Sequence, residues 1–164
     1  MKNKRLLAFV LCLLLCLTTV TAAFASSDEP TSGIASKDPY FTDEYYSESP
    51  GVSTYAGPSI SSPTINLTSP STGKIKIYLK IVTGNPVTKI GFKSNLVLQY
   101  WNGSRWGTSA SWSEKYNSNA TSYTFSQTLD RTSGTRYRLT GTLFATNSSG
   151  TTTAPFTTNY ITCR

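Results

Sequence analysis

Apolar and polar positions alternate with a period of two along much of the chain, the pattern of strands with one buried face. Over 74–82, Ile75, Ile77, Leu79 and Ile81 fall on one side, and Lys74, Lys76, Tyr78 and Lys80 on the other. The alternation returns over 121–129, with Tyr123, Phe125 and Leu129 inward and Thr124, Ser126 and Thr128 outward. It returns again over 136–146, with Tyr137, Leu139, Gly141, Leu143 and Ala145 inward against Arg136, Arg138, Thr140 and Thr142.

Shorter strands are expected at 64–67, between Pro63 and Pro70, and at 87–92, after a stop at Gly84-Asn85-Pro86. Another is expected at 96–101. Asn102-Gly103 then gives a two-residue hairpin signal, and Trp106 opens the return strand, which fades toward Trp112. The polar run Asn117, Ser118 and Asn119 separates this hairpin from the next strand, and turns are expected at 130–134 and 147–150. A final Thr-rich strand reaches Tyr160 and Ile161; Pro155 within it argues for an edge or a bulge, because proline cannot donate to a ladder. Seven or eight short strands without an amphipathic helix or a repeat predict an all-β protein, an antiparallel Greek-key β-sandwich.

The N-terminus carries a different signal. Lys2, Lys4 and Arg5 precede an unbroken apolar run over 6–17, and Ala23-Phe24-Ala25 has the small-x-small form of a cleavage site. A bilayer needs about 20 apolar residues, so the run is too short to span one. Residues 1–25 are therefore expected to be a signal peptide, and the mature chain to be secreted, with no membrane association after cleavage. Cleavage also removes Cys12 and Cys16, leaving Cys163, which cannot close an intrachain disulfide. Near the end of the chain it is expected to be an exposed thiol, with pairing between chains the alternative.

Charge divides what remains. Lys and Arg number 15 against 8 Asp and Glu, and three of the positives lie before residue 26. Between residues 26 and 50 there are six acids (Asp28, Glu29, Asp38, Asp43, Glu44, Glu48) against Lys37. From residue 51 there are eleven Lys and Arg against Glu114 and Asp130. With several prolines and no apolar periodicity, 26–57 is expected to be a flexible arm, acidic and rich in tyrosine, and 58–164 the folded domain. Tyr40, Phe41, Tyr45, Tyr46 and Tyr55 lie among its acids. The arm is either a solvated spacer or a tether that docks on a cationic surface.

Two resemblances follow from particular residues. Leu129, a turn with Gly134, then Tyr137-x-Leu139 resembles the tyrosine corner of immunoglobulin-like and fibronectin-III-like sandwiches, in which a tyrosine hydroxyl bonds to backbone just upstream. Leu139 stands where antibody domains carry a cysteine, so a true antibody-type domain is excluded. The wider arrangement is similar to an uncharacterised family of small exported proteins of Gram-positive bacteria. The features that carry this likeness are the signal, Leu98-Gln99-Tyr100, Asn102-Gly103 followed by Trp106, and Gly134-x-x-Tyr137-Arg138. It implies a fold and export, and brings no activity.

Catalytic chemistry finds few residues. Histidine is absent, which removes the commonest general base and metal ligand. Beyond the arm the only carboxylates are Glu114 and Asp130, short of a defined acid pair. No catalytic residue, cofactor or metal site is expected; Asp43, Glu44 and Glu48 lack the spacing of a calcium loop. Two sets of side chains suit binding. Lys74, Lys76 and Lys80 on one strand, and Arg136 and Arg138 on another, form basic stripes suited to an anionic polymer such as a wall polymer or acidic glycan; the lysines equally serve to keep exposed strands from pairing edge to edge. Trp101, Trp106 and Trp112 with Tyr100 suit stacking on sugar rings, or else pack across the hairpin. The expected function is that of a secreted, non-enzymatic, monomeric binding protein acting on an extracellular polymer, glycan or protein. The alternative is a carbohydrate-binding module built on the Trp101/Trp106 hairpin. Nucleic acid is not an expected partner, since no recognised binding motif is present.

Overall fold

Strand-forming alternation without helix signals becomes nine antiparallel strands and no helix among the residues that the computed structural model describes, 37–42, 45–46 and 57–164. In chain order they are β1 (Tyr45–Tyr46), β2 (Ile60–Thr68), β3 (Lys74–Phe92), β4 (Leu96–Trp101), β5 (Trp106–Trp112), β6 (Lys115–Asp130), β7 (Arg136–Asn147), β8 (Gly150–Thr158) and β9 (Ile161–Thr162). The signal peptide expected at 1–25 lies outside the described residues.

The fold is all-β, but the hydrogen bonds do not divide it into the two separate sheets of the expected sandwich. They join all nine strands into one sheet. The reason is the length of β3. Its first half pairs with β2 on one side and β6 on the other, and its last residues pair with β6 and β7. The expected stop at Gly84-Asn85-Pro86 does not end the strand: the ladder to β6 only shifts register between Val82 and Val87, and Thr83 Oγ1 bonds to the Asn85 carbonyl across the irregularity. The polar run at 117–119 is likewise inside β6 rather than between strands; Asn119 takes a positive φ of 49° there.

Burial follows the alternation. Ile75, Ile77, Leu79 and Ile81 are fully buried, as are Leu96, Leu98, Leu139 and Leu143. With no helix among the described residues to cover an apolar face, the strands cover one another, and β2 approaches β7 and β8 without sharing a ladder with them. Phe92 packs edge-on against Tyr123 and Phe125 at 5.9 and 5.2 Å, joining the end of β3 to β6.

Two segments are held more closely than their sequences suggest. Within the stretch expected to be a flexible arm, Thr42 is fully buried, donates its N–H to the Leu67 carbonyl at 2.9 Å, and accepts from the Leu67 N–H through Oγ1 at 2.8 Å. Ser69 N–H reaches the Tyr40 carbonyl and Thr162 N–H the Pro39 carbonyl, while β1 pairs with Thr157 and Thr158 of β8. These pieces belong to the sheet; the rest of the expected arm lies outside the described residues. Cys163 is not an exposed terminal thiol. It is 1% exposed, with Ser69 Oγ at 3.9 Å and the Lys74 carbonyl at 3.8 Å from its sulfur, and its backbone pairs with Thr135 and Gly134.

Tyr137 is buried, its hydroxyl accepts from the Thr132 N–H at 3.3 Å, Leu139 is in the core and Leu129 packs at its margin.

Candidate functional site

The hairpin of β4 and β5 decides which aromatic side chains meet. Its tip turns one residue later than Asn102-Gly103 implies: Asn102 and Arg105 are the paired ends, and Gly103, with φ of 99°, takes the first central position. Asn102 Oδ1 accepts from the N–H groups of Ser104 and Arg105 at 3.0 and 2.9 Å, fixing the loop. The register then shifts between Leu98 and Gln99, where Ser109 is the extra residue opposite. By period two alone Trp106 and Trp112 share a face; the bulge reverses it.

Trp112 consequently sits against the core. Its ring lies edge-on to Phe125 at 5.8 Å, and its Nε1–H donates to Gln127 Oε1 at 2.7 Å. Tyr100 follows the inward parity of Leu98, lies over Gly107 and is 36% exposed. The expected group of Trp101, Trp106, Trp112 and Tyr100 is thus not one platform. Only Trp101 and Trp106 meet, as a cross-strand pair with centroids 5.4 Å apart.

What joins that pair is the basic set from β7. Gln99 is opposite Arg138 in the ladder, and Arg138 Nε donates to Gln99 Oε1 at 2.8 Å. The guanidinium carbon is 4.3 Å from the centre of the Trp106 ring. Arg136 lies 5.2 Å over the Tyr160 ring, which is 6.4 Å from Trp106. The outer face of β4, β5 and β7 therefore carries two guanidinium groups set on aromatic rings, all half-buried. Each stacked cation contributes about 0.5–1 kcal/mol where exposed, and a guanidinium is the side chain whose planar N–H fork matches a carboxylate, sulfate or phosphate. Trp106 Nε1 is buried here with no hydrogen-bond partner.

The lysine set is arranged differently. Lys76 is opposite Thr68 and Thr128, Lys80 opposite Thr64 and Thr124, and Tyr78 between Asn66 and Ser126, an open hydroxyl-rich face on the other half of the sheet. Lys74 is paired with the largely exposed Asp130, a contact of the kind that contributes little. Among the described residues no aromatic ring or amide orients these lysines as Gln99 and Trp106 orient Arg138. The two basic sets do not form one site.

Gln99 and Tyr160 are not among the site residues that the sequence suggests. Gln99 is two residues from Trp101 and so shares its face, which is a readable signal; Tyr160 arrives through the pairing of β7 with β9, which local sequence does not encode. Among the described residues no cluster of His, Cys, Asp or Glu is grouped to hold a metal ion, and no helix is long and apolar enough to cross a membrane. Tyr123 is the titratable group whose environment is clearly altered, its pKa raised by burial, and it faces the core rather than this surface. Comparison with family models, curated proteins and solved structures finds no match to the chain.

Proposed function

We propose that this is an exported, non-enzymatic binding protein that engages an anionic extracellular polymer through the outer face of β4, β5 and β7. The observation that carries the reading is Arg138, held by Gln99 and stacked on Trp106, with Arg136 on Tyr160 beside it. A guanidinium fixed in this way loses less side-chain freedom on meeting an anion than a free lysine does. The surrounding charge favours the same class of ligand: the described residues hold twelve Lys and Arg against Asp38, Glu114 and Asp130. A second reading, a module for neutral glycans, is supported by the Trp101–Trp106 pair on the same face.

Binding to immobilised polygalacturonate, compared with a neutral polysaccharide and followed through a salt series, separates the two. Charge-led binding is expected to weaken between 0.1 and 1 M salt, as the screening length falls from about 10 to about 3 Å. Arg136→Gln with Arg138→Gln should abolish it, and Lys74→Gln with Lys76→Gln and Lys80→Gln should leave it within about twofold, the usual reach of distant surface changes. Salt-independent binding that is lost in Trp101→Ala and retained in the arginine variant selects the neutral-glycan reading. Loss only in the lysine variant moves the site to the β2–β3–β6 face.

A further inference from the structure

The outer face of β7 does not end its chemistry at Arg138. Six residues further along, on the same side, is Phe144, a buried aromatic residue, 1% exposed, that lies outside the main core cluster. Two amphipathic neighbours contribute to its cover. Lys93 Nζ lies 4.0 Å over its ring, and Tyr116 meets it edge-on at 6.4 Å. Lys89 Nζ lies 4.6 Å over Tyr116, which is 41% exposed. Gly91, opposite both Phe144 and Tyr116, brings the strands close enough for these rings to meet.

One strand face thus carries four cation–ring pairs in two groups: Arg136 with Tyr160 and Arg138 with Trp106 at one end, Lys93 with Phe144 and Lys89 with Tyr116 at the other. The floor between them is short and polar. Thr140 is bonded to Thr157 and the Phe156 carbonyl, and Thr142 accepts from Asn95, so neither projects over the face. Strand geometry puts Arg138 and Phe144 about 20 Å apart, and Arg136 about 34 Å from Thr146, the residue opposite Lys89. Glu114 holds Lys93 at 3.3 Å. Lys89 has no carboxylate in ion-pair range among the described residues.

We propose that the ligand is a linear acidic glycan lying lengthwise along β7, and that Lys89 and Lys93 form a second cationic subsite for its far end. The inference rests on the binding function proposed for the Arg136–Arg138 end. A linear glycan of acidic sugars matches the face in both respects. Its rings offer C–H groups to the faces of the partly exposed Trp101 and Tyr116 rings, and its charges recur along the chain, as the cations do along the strand. A small anion meets only one group. Two subsites joined by one ligand bind by effective concentration, so affinity depends on ligand length. Glu114 competes for Lys93, and an incoming anion replaces it.

The test is titration of the protein with oligogalacturonates of graded length. For the wild-type chain, affinity is expected to step upward once the oligomer exceeds about 20 Å, the separation of the groups. Lys89→Gln with Lys93→Gln should bind short oligomers as wild type does and lack the step, with circular dichroism verifying its fold. Glu114→Gln, which removes only the competitor, should tighten binding of long oligomers about two- to fivefold, the size of an exposed charge pair, and leave short ones unchanged. An affinity independent of length, or a step that survives in the lysine variant, overturns the second subsite and leaves the arginine site standing. Equal binding of all lengths by wild type and by Arg136→Gln with Arg138→Gln, or no binding by either, removes the reading on which it rests.

Discussion

Gly91 lies where β3 pairs with β6 on one side and β7 on the other, and replacing it with alanine is a sharp test of the packing. A Cβ at this position meets the Lys115 carbonyl oxygen at 1.9 Å and the Tyr116 Cα at 2.7 Å. Ordinary contact begins at 3.4 Å, so β3 and β6 must separate by about 1.5 Å, against a normal strand spacing of about 4.8 Å. The obstacle is backbone within the ladder, with Phe92 opposite Lys115 and Gly91 opposite Tyr116, so no rotamer change relieves it. Separation weakens two or three ladder bonds at about 1 kcal/mol each and loosens Phe92 from Tyr123 and Phe125. Together these give about 3–5 kcal/mol, out of a total stability of about 5–15 kcal/mol for an ordinary domain. Urea denaturation followed by near-ultraviolet circular dichroism measures it. Gly84→Ala is the control: it has no atom within 4 Å of its Cβ and no positive φ, and should be neutral or stabilise by up to about 1 kcal/mol. A Gly91→Ala chain within about 0.5 kcal/mol of wild type would refute the close approach of β6, and with it the placement of Tyr116 against Phe144.

Three other outcomes follow from buried groups. Tyr137→Phe leaves the Thr132 N–H without its acceptor; because Thr132 is exposed and water can replace the hydroxyl, the loss should be about 1 kcal/mol by denaturant midpoint, and an unchanged midpoint removes the hydroxyl from the fold's support. Cys163 should resist thiol reagents in the native chain and react on denaturation, read by mass spectrometry of the C-terminal peptide; rapid native labelling contradicts its burial. Burial raises the pKa of Tyr123 above its unfolded value of 10.0, so the unfolded chain releases that proton first. Stability from this group is complete below pH 10 and is lost as pH rises through the folded value; Tyr123→Phe should lessen that alkaline loss, and identical alkaline titrations would contradict it.

The strands and the inward residues were legible because period two is a local property. Ile75 to Ile81 and Tyr137 to Ala145 needed nothing beyond alternation to be placed in the core. Features that depend on distant contacts were not. Ser109 makes the bulge that parts Trp106 from Trp112, yet nothing in its identity marks it. Gly84-Asn85-Pro86 has the composition of a turn, but pairing on both sides of it carries β3 through. Cys163 and Thr42 are buried by partners more than twenty residues away in sequence, Ser69 and Leu67 among them. Of the candidate site, Arg136, Arg138, Trp101 and Trp106 were readable singly; that they meet was not, because their meeting requires both the β4–β5 bulge and the β4–β7 register. Phe144 did leave a trace, a large aromatic on the polar side of an otherwise regular alternation.

The central claim is that the arginine–aromatic face of β4, β5 and β7 receives an anionic polymer. It is tested most directly by nitrogen-15 correlation spectra of the protein titrated with polygalacturonate, following the side-chain N–H signals of Arg138 and Trp106. The account predicts that these two signals shift together, saturably, and ahead of the backbone signals of Lys76 and Lys80. Shifts confined to the β2–β3–β6 face, or none at Arg138 and Trp106 while the polymer is bound, would contradict it.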